Sequence, residues 1–65
     1  MLPIMMSNGT VAYEVPKGTL VSFVYKGNLR SGPIERGDHP MTITVATDHG
    51  YRQYSRKHIQ DMSIR

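Results

Sequence analysis

The sequence predicts an all-β domain, a small five-stranded barrel that ends in a short helical or 3₁₀ turn. Three observations carry that expectation. Apolar and polar residues alternate with a period of two in several short runs, the spacing of a strand with one buried face. Stretches rich in turn residues separate those runs: Asn8-Gly9, Pro16-Lys17-Gly18, Gly27-Asn28, Gly37 to Pro40 and Asp48-His49-Gly50. No stretch reads as a long helix, and the chain carries no internal repeat beyond two Asp-His pairs in turns.

Taken in order, residues 1–9 read as a flexible lead. Met1 to Ser7 is apolar but lacks a basic start and contains Pro3, which makes it a poor signal peptide, and Met5 and Met6 offer later starts. The domain proper is expected over residues 10–62. Its first strand, Thr10 to Val15, alternates Val11, Tyr13 and Val15 with polar or small residues. Thr19 to Lys26 is the clearest strand, because β-branched and aromatic residues dominate it and Val21, Phe23 and Tyr25 share a face. A two-residue loop at Gly27-Asn28 would pair Lys26 with Leu29, Phe23 with Gly32, and Val21 with Ile34. Pro33 cannot donate to a ladder, so Leu29 to Arg36 is expected at an edge or a bend.

Met41 to Ile59 forms the organising hairpin. Met41, Ile43 and Val45 alternate with Thr42, Thr44 and Ala46, and Asp48-His49-Gly50 reverses the chain. A loop over Asp48 to Gly50 would set Val45 opposite Gln53, and one over Asp48 to Tyr51 would set it opposite Tyr54. The second register is preferred as the better cross-strand pair. It puts the Tyr54 ring on the core and leaves Arg52 and Arg56 at the rim, their stems over apolar surface and their guanidinium groups in water. Arg56 to Met62 suits one helical or 3₁₀ turn with Ile59 and Met62 inward, and residues 63–65 read as loose.

At 65 residues the chain makes one domain, which buries only about 60% of its unfolded surface, so a homodimer or a bound partner is a natural source of extra stability. Cysteine is absent, which excludes disulfides and thiolate metal sites. Eight Lys and Arg against five Asp and Glu give a formal charge of +3, a mild bias that suits anionic partners. No run approaches the roughly 18 apolar residues of a membrane span, and a cytoplasmic location with no membrane association is expected.

Gly18-Thr19-Leu20-Val21-Ser22-Phe23, followed by Gly27 and Gly32-Pro33-Ile34, resembles the opening of SH3-like and KOW-type barrels, in which a glycine precedes an alternating strand and a second turns the hairpin. Arg52-Gln53-Tyr54 followed by Ile59 is similar to the final strand and closing turn of WYL-type domains, an SH3-like group in bacterial and phage regulators. Arg56 stands where that pattern has an aliphatic residue, His58 stands where it has a basic one, and the Trp-Tyr-Leu signature is absent. Arg52 and Tyr54 are the residues that carry over. The resemblance implies an SH3-like barrel over Lys17 to Ile59 and an association with phage or mobile-element accessory proteins.

For chemistry, the candidate is the basic and aromatic run Tyr51, Arg52, Tyr54, Arg56, Lys57 and His58, extended by Lys17, Lys26 and Arg30 if the first hairpin lies alongside. Nucleic-acid sites on small barrels need cations to replace phosphate counterions and aromatic faces to stack bases, and this run offers both. His39, His49 and His58 sit ten and nine residues apart, a spacing that matches no compact ligand motif, so no metal or other cofactor is expected. With no paired carboxylates, no cysteine nucleophile and no phosphate-binding glycine loop, the chain reads as a non-enzymatic binding module. The alternative to nucleic acid is a protein partner, with the chain as an inhibitor or adaptor that adds a strand along the Leu29 to Arg36 edge.

Overall fold

A computed structural model describes residues 1–5 and 11–64. The fold is all-β, with strands β1 (Leu2–Met5), β2 (Val11–Val15), β3 (Leu20–Tyr25), β4 (Asn28–Arg36), β5 (Thr42–Thr47), β6 (Gly50–Ser55) and β7 (Ile59–Ile64), and one 3₁₀ turn over Arg56–His58. β1 and β2 form an antiparallel ribbon. The other five make one antiparallel sheet in the order β6-β5-β4-β3-β7. Among the described residues β6 and β7 do not pair, so the expected barrel is not closed by hydrogen bonds.

The period-two faces meet in one core. Val21 and Phe23 from β3, Ile34 from β4, Ile43 and Val45 from β5 and Tyr54 from β6 are all buried. Ile59, Met62 and Ile64 pack against that cluster from the C-terminal strand. Each of these elements is half-buried, which is why alternation rather than a continuous apolar run marks it in the sequence.

The N-terminal lead is corrected over the part described. Leu2–Met5 is a strand, and Ile4 is 0% exposed in the core. Its backbone reaches Gly37 through an isolated parallel bridge, with the Met5 N–H donating to the Gly37 carbonyl at 2.9 Å. Gly37 permits that approach, since a Cβ there would lie 2.7 Å from the Pro3 carbonyl oxygen. Residues 6–10, which take in the rest of the lead and Asn8-Gly9, lie outside the described residues. Among the described side chains of the first predicted strand Val15 is buried, while Val11 and Tyr13 stay exposed on the two-stranded ribbon.

The first hairpin turns one residue earlier than expected, and the second turns at the expected Asp48 through a shorter loop. In the first, Lys26 (φ 51°) and Gly27 (φ 81°) form the loop and Tyr25 pairs with Asn28, so Phe23 faces Arg30 and Val21 faces Gly32. In the second the loop is Asp48-His49, Thr47 pairs with Gly50, Ile43 with Tyr54, and Val45 with Arg52.

β4 is interior, not an edge. It pairs with β3 over Asn28 to Pro33 and with β5 at Ile34 and Arg36. Ile34 donates its N–H to the Thr19 carbonyl at 2.9 Å and accepts from the Gly18 N–H at 2.8 Å, so it spends its backbone groups on the β3 side. Pro33 alternates to the β5 side, where the ladder is irregular and its missing donor costs little. Gly32 fits beneath the Val45 side chain, where a Cβ would also lie 3.2 Å from the Ala46 carbonyl oxygen. At the C-terminus the 3₁₀ turn is present but short. The chain then runs on as β7 through Ser63 and Ile64, paired with Ser22 and Val21, instead of loosening after residue 62.

Candidate nucleic-acid interface

Three aromatic rings run from the core to the surface. Phe23 meets Tyr54 edge to face with centroids 5.0 Å apart, and Tyr54 meets Tyr25 at 4.9 Å and 74°. The His58 ring continues the row, 6.1 Å from Tyr25 at 86°. These T-shaped contacts suit the ring quadrupoles and fix the rings with respect to one another. Tyr25 also ties strands together, because its hydroxyl accepts the Ser55 N–H at 3.4 Å. Phe23 and Tyr54 are buried, whereas Tyr25 is half-exposed.

Cations surround this row. The Arg52 guanidinium carbon lies 5.2 Å from the centre of the Tyr54 ring, and the Lys26 ammonium lies 5.5 Å from that of Tyr25. Arg30 stands directly across from Phe23 in the β3–β4 ladder, on the same face of the sheet. Arg52, Lys26 and His58 are exposed, and Arg30 is half-buried. Among the described residues the two ion pairs are Lys17 with Glu35 at 2.7 Å and Arg36 with Asp38 at 3.0 Å. Neither engages a cation of the aromatic row.

Of the predicted site residues, the fold therefore brings together Lys26, Arg30, Arg52, Tyr54 and His58. Tyr54 contributes as a buried floor with 5% exposure. Arg56 is a correction: it is 6% exposed, and its guanidinium donates to the carbonyl oxygens of Gly37 at 2.9 Å, Thr42 at 3.2 Å and His39. Its backbone N–H also donates to the Met41 carbonyl at 3.0 Å. Burial pulls its pKa down, and the Asp38 carboxylate opposes that shift. The residue is a strut that organises the Gly37 to Thr42 connection, since three carbonyls that point inward need a donor. Lys57 lines a separate cleft with Pro40, Met41 and Ser55.

Tyr51, 70% exposed, alternates to the opposite face of β6 from Arg52 and Tyr54. It lies near Lys17, whose pKa is raised chiefly by the hydrogen bond and charge of Glu35 and slightly by Tyr51. Lys17 is thus committed to Glu35. The residue that sequence reasoning left out of the site is Tyr25, and the signal for it was present: it shares a period-two face with Val21 and Phe23 and directly precedes Lys26.

The strand expected as an edge, Leu29 to Arg36, lies between β3 and β5, pairing with β3 in its first part and with β5 at Ile34 and Arg36, and the sheet's terminal strands are β6 and β7. No helix of the described residues is long and apolar enough to cross a membrane. No family model, curated protein or solved structure matches this chain.

Proposed function

We propose that the chain is a non-enzymatic binding module built on an SH3-like barrel, with nucleic acid as its ligand. What supports the fold assignment is the order β6-β5-β4-β3-β7 together with the 3₁₀ turn that leads from β6 into β7, as in an SH3-like barrel. The observation that carries the function is the set of cations around the Phe23–Tyr54–Tyr25 row. Among the described residues Arg30, Arg52 and Lys26 have no carboxylate partner, so their charge is available to replace phosphate counterions, and the half-exposed Tyr25 lies among them to meet a base.

Amide-shift mapping by NMR tests this reading. On titration with an oligonucleotide, resonances of Tyr25, Lys26, Arg30, Arg52 and His58 are expected to move together, while those of Glu14 and Asp48 stay in place. Movement confined to Tyr51, Lys17 and Leu20 would assign binding to the opposite face and overturn the assignment.

A further inference from the structure

Arg30 is the unusual member of the cluster. It is half-buried, its Nε is shut off from water and has no hydrogen-bond partner among the described residues, and its Nη1 reaches only the carbonyl of its own neighbour Leu29 at a long 3.4 Å. A guanidinium held beside an aromatic core with its fork unfilled carries an unmet demand for an acceptor, and an anionic oxygen pair fills that fork best. Lys26 and Arg52 differ from it, because both are exposed and lie over ring faces, where they act as charges without fixed partners.

The levels of these groups are also informative. The aromatic rings are recessed: Phe23 and Tyr54 are buried and Tyr25 is half-buried, while Lys26, Arg52 and His58 stand exposed around them. A duplex keeps its bases stacked inside and offers phosphates outermost, so it would meet the exposed cations and leave Tyr25 and Arg30 untouched. A single strand can turn out a base to reach Tyr25 and follow it with a phosphate.

We infer that the ligand is single-stranded nucleic acid, with a base against Tyr25 and an adjacent phosphate held bidentately by Arg30. This rests on the nucleic-acid reading above and specifies it. Filling the fork requires the half-buried Arg30 side chain to turn outward so that Nε, covered in the free protein, faces the phosphate together with Nη2, and the Arg30 charge then serves as an anchor and not only as part of a field.

The test compares a fluorescein-labelled 15-nucleotide oligo-dT with a labelled 15-base-pair duplex across the same series of salt concentrations, for the wild type and for Arg30→Lys. The single strand is expected to bind the wild type about tenfold tighter than the duplex. Arg30→Lys, which keeps the charge and loses the fork, is expected to weaken single-strand binding about tenfold with its salt slope unchanged. On the wild type itself, the Arg30 Nε–H resonance should shift on adding oligo-dT, a readout that does not depend on whether the variant folds. Equal or tighter binding of the duplex, or an unmoved Arg30 Nε–H signal at saturation, overturns this inference and leaves the broader reading standing. Absence of binding to either ligand overturns both.

Discussion

Arg52 and Arg56 are four residues apart and have opposite roles. Arg56 turns inward at the start of the 3₁₀ turn and meets three backbone carbonyls, whereas Arg52 lies exposed over the Tyr54 ring. Arg56→Ala would take a donor from the His39 and Thr42 carbonyls and leave Gly37 with the Met5 N–H alone, and chemical denaturation should show a loss on the order of 3 kcal/mol. Arg52→Ala should leave stability within about 0.5 kcal/mol of the wild type, since an exposed side chain away from such features contributes little. Its effect should fall on binding instead, flattening the salt slope for single strands by about 0.7 if Arg52 neutralises one phosphate. Alternation placed Tyr54 inward and Arg52 at the rim. It also set Arg56 on the Tyr54 face, but a guanidinium is expected to keep to water, and the inward-pointing carbonyls of Gly37, His39 and Thr42 that receive it come from a connection distant in sequence.

Among the elements, the faces of the strands were legible and the registers were not, and one geometric fact explains both. In each hairpin the observed pairing differs from the expected one by two residues, Val21 facing Gly32 rather than Ile34 and Val45 facing Arg52 rather than Tyr54. A shift of two keeps every side chain on its face, so the core survives the error. The turn itself was misread because Lys26 takes a left-handed conformation that sequence rules reserve for Gly or Asn. Replacing Lys26 by Gly should relieve that strain and stabilise the hairpin by up to about 1 kcal/mol while lowering affinity for nucleic acid, two effects that separate in denaturation and binding assays. β1 was hidden for a different reason: beyond its ribbon with β2, its core contacts and its bridge to Gly37 lie far along the chain, and a Pro-containing apolar end gives no local sign of them. Ile4→Ala should cost about 2–5 kcal/mol, the range for emptying a fully buried aliphatic site. A loss near zero on denaturation would show that β1 is peripheral to the fold.

Across the whole molecule, the charges are divided. Glu35 and Asp38 are each joined to a cation outside the aromatic row, while the cations of the row are left open. The Arg36 hydrogen bond holds the Asp38 carboxyl below its ordinary value, so whatever this exposed pair adds to stability is present above the unfolded pKa. It is lost as pH falls through the lower folded value. The sequence announced a mild positive charge and a basic C-terminal run, but the site joins β3, β4, β6 and the 3₁₀ turn, and only the packing of Phe23, Tyr25 and Tyr54 brings those pieces to one place. Packing across the sheet also removed Tyr51 and Lys57 from the run that looked continuous in one dimension.

Fluorescence anisotropy of a labelled single strand across a salt series, with the wild-type chain, decides whether this surface binds nucleic acid at all. With three or four cations meeting phosphates, log K should fall against log salt with a slope of about −2 to −3 and reach micromolar affinity at low salt. Binding that is absent at low salt, or that does not change as salt rises, would contradict a nucleic-acid interface at Tyr25, Arg30 and Arg52.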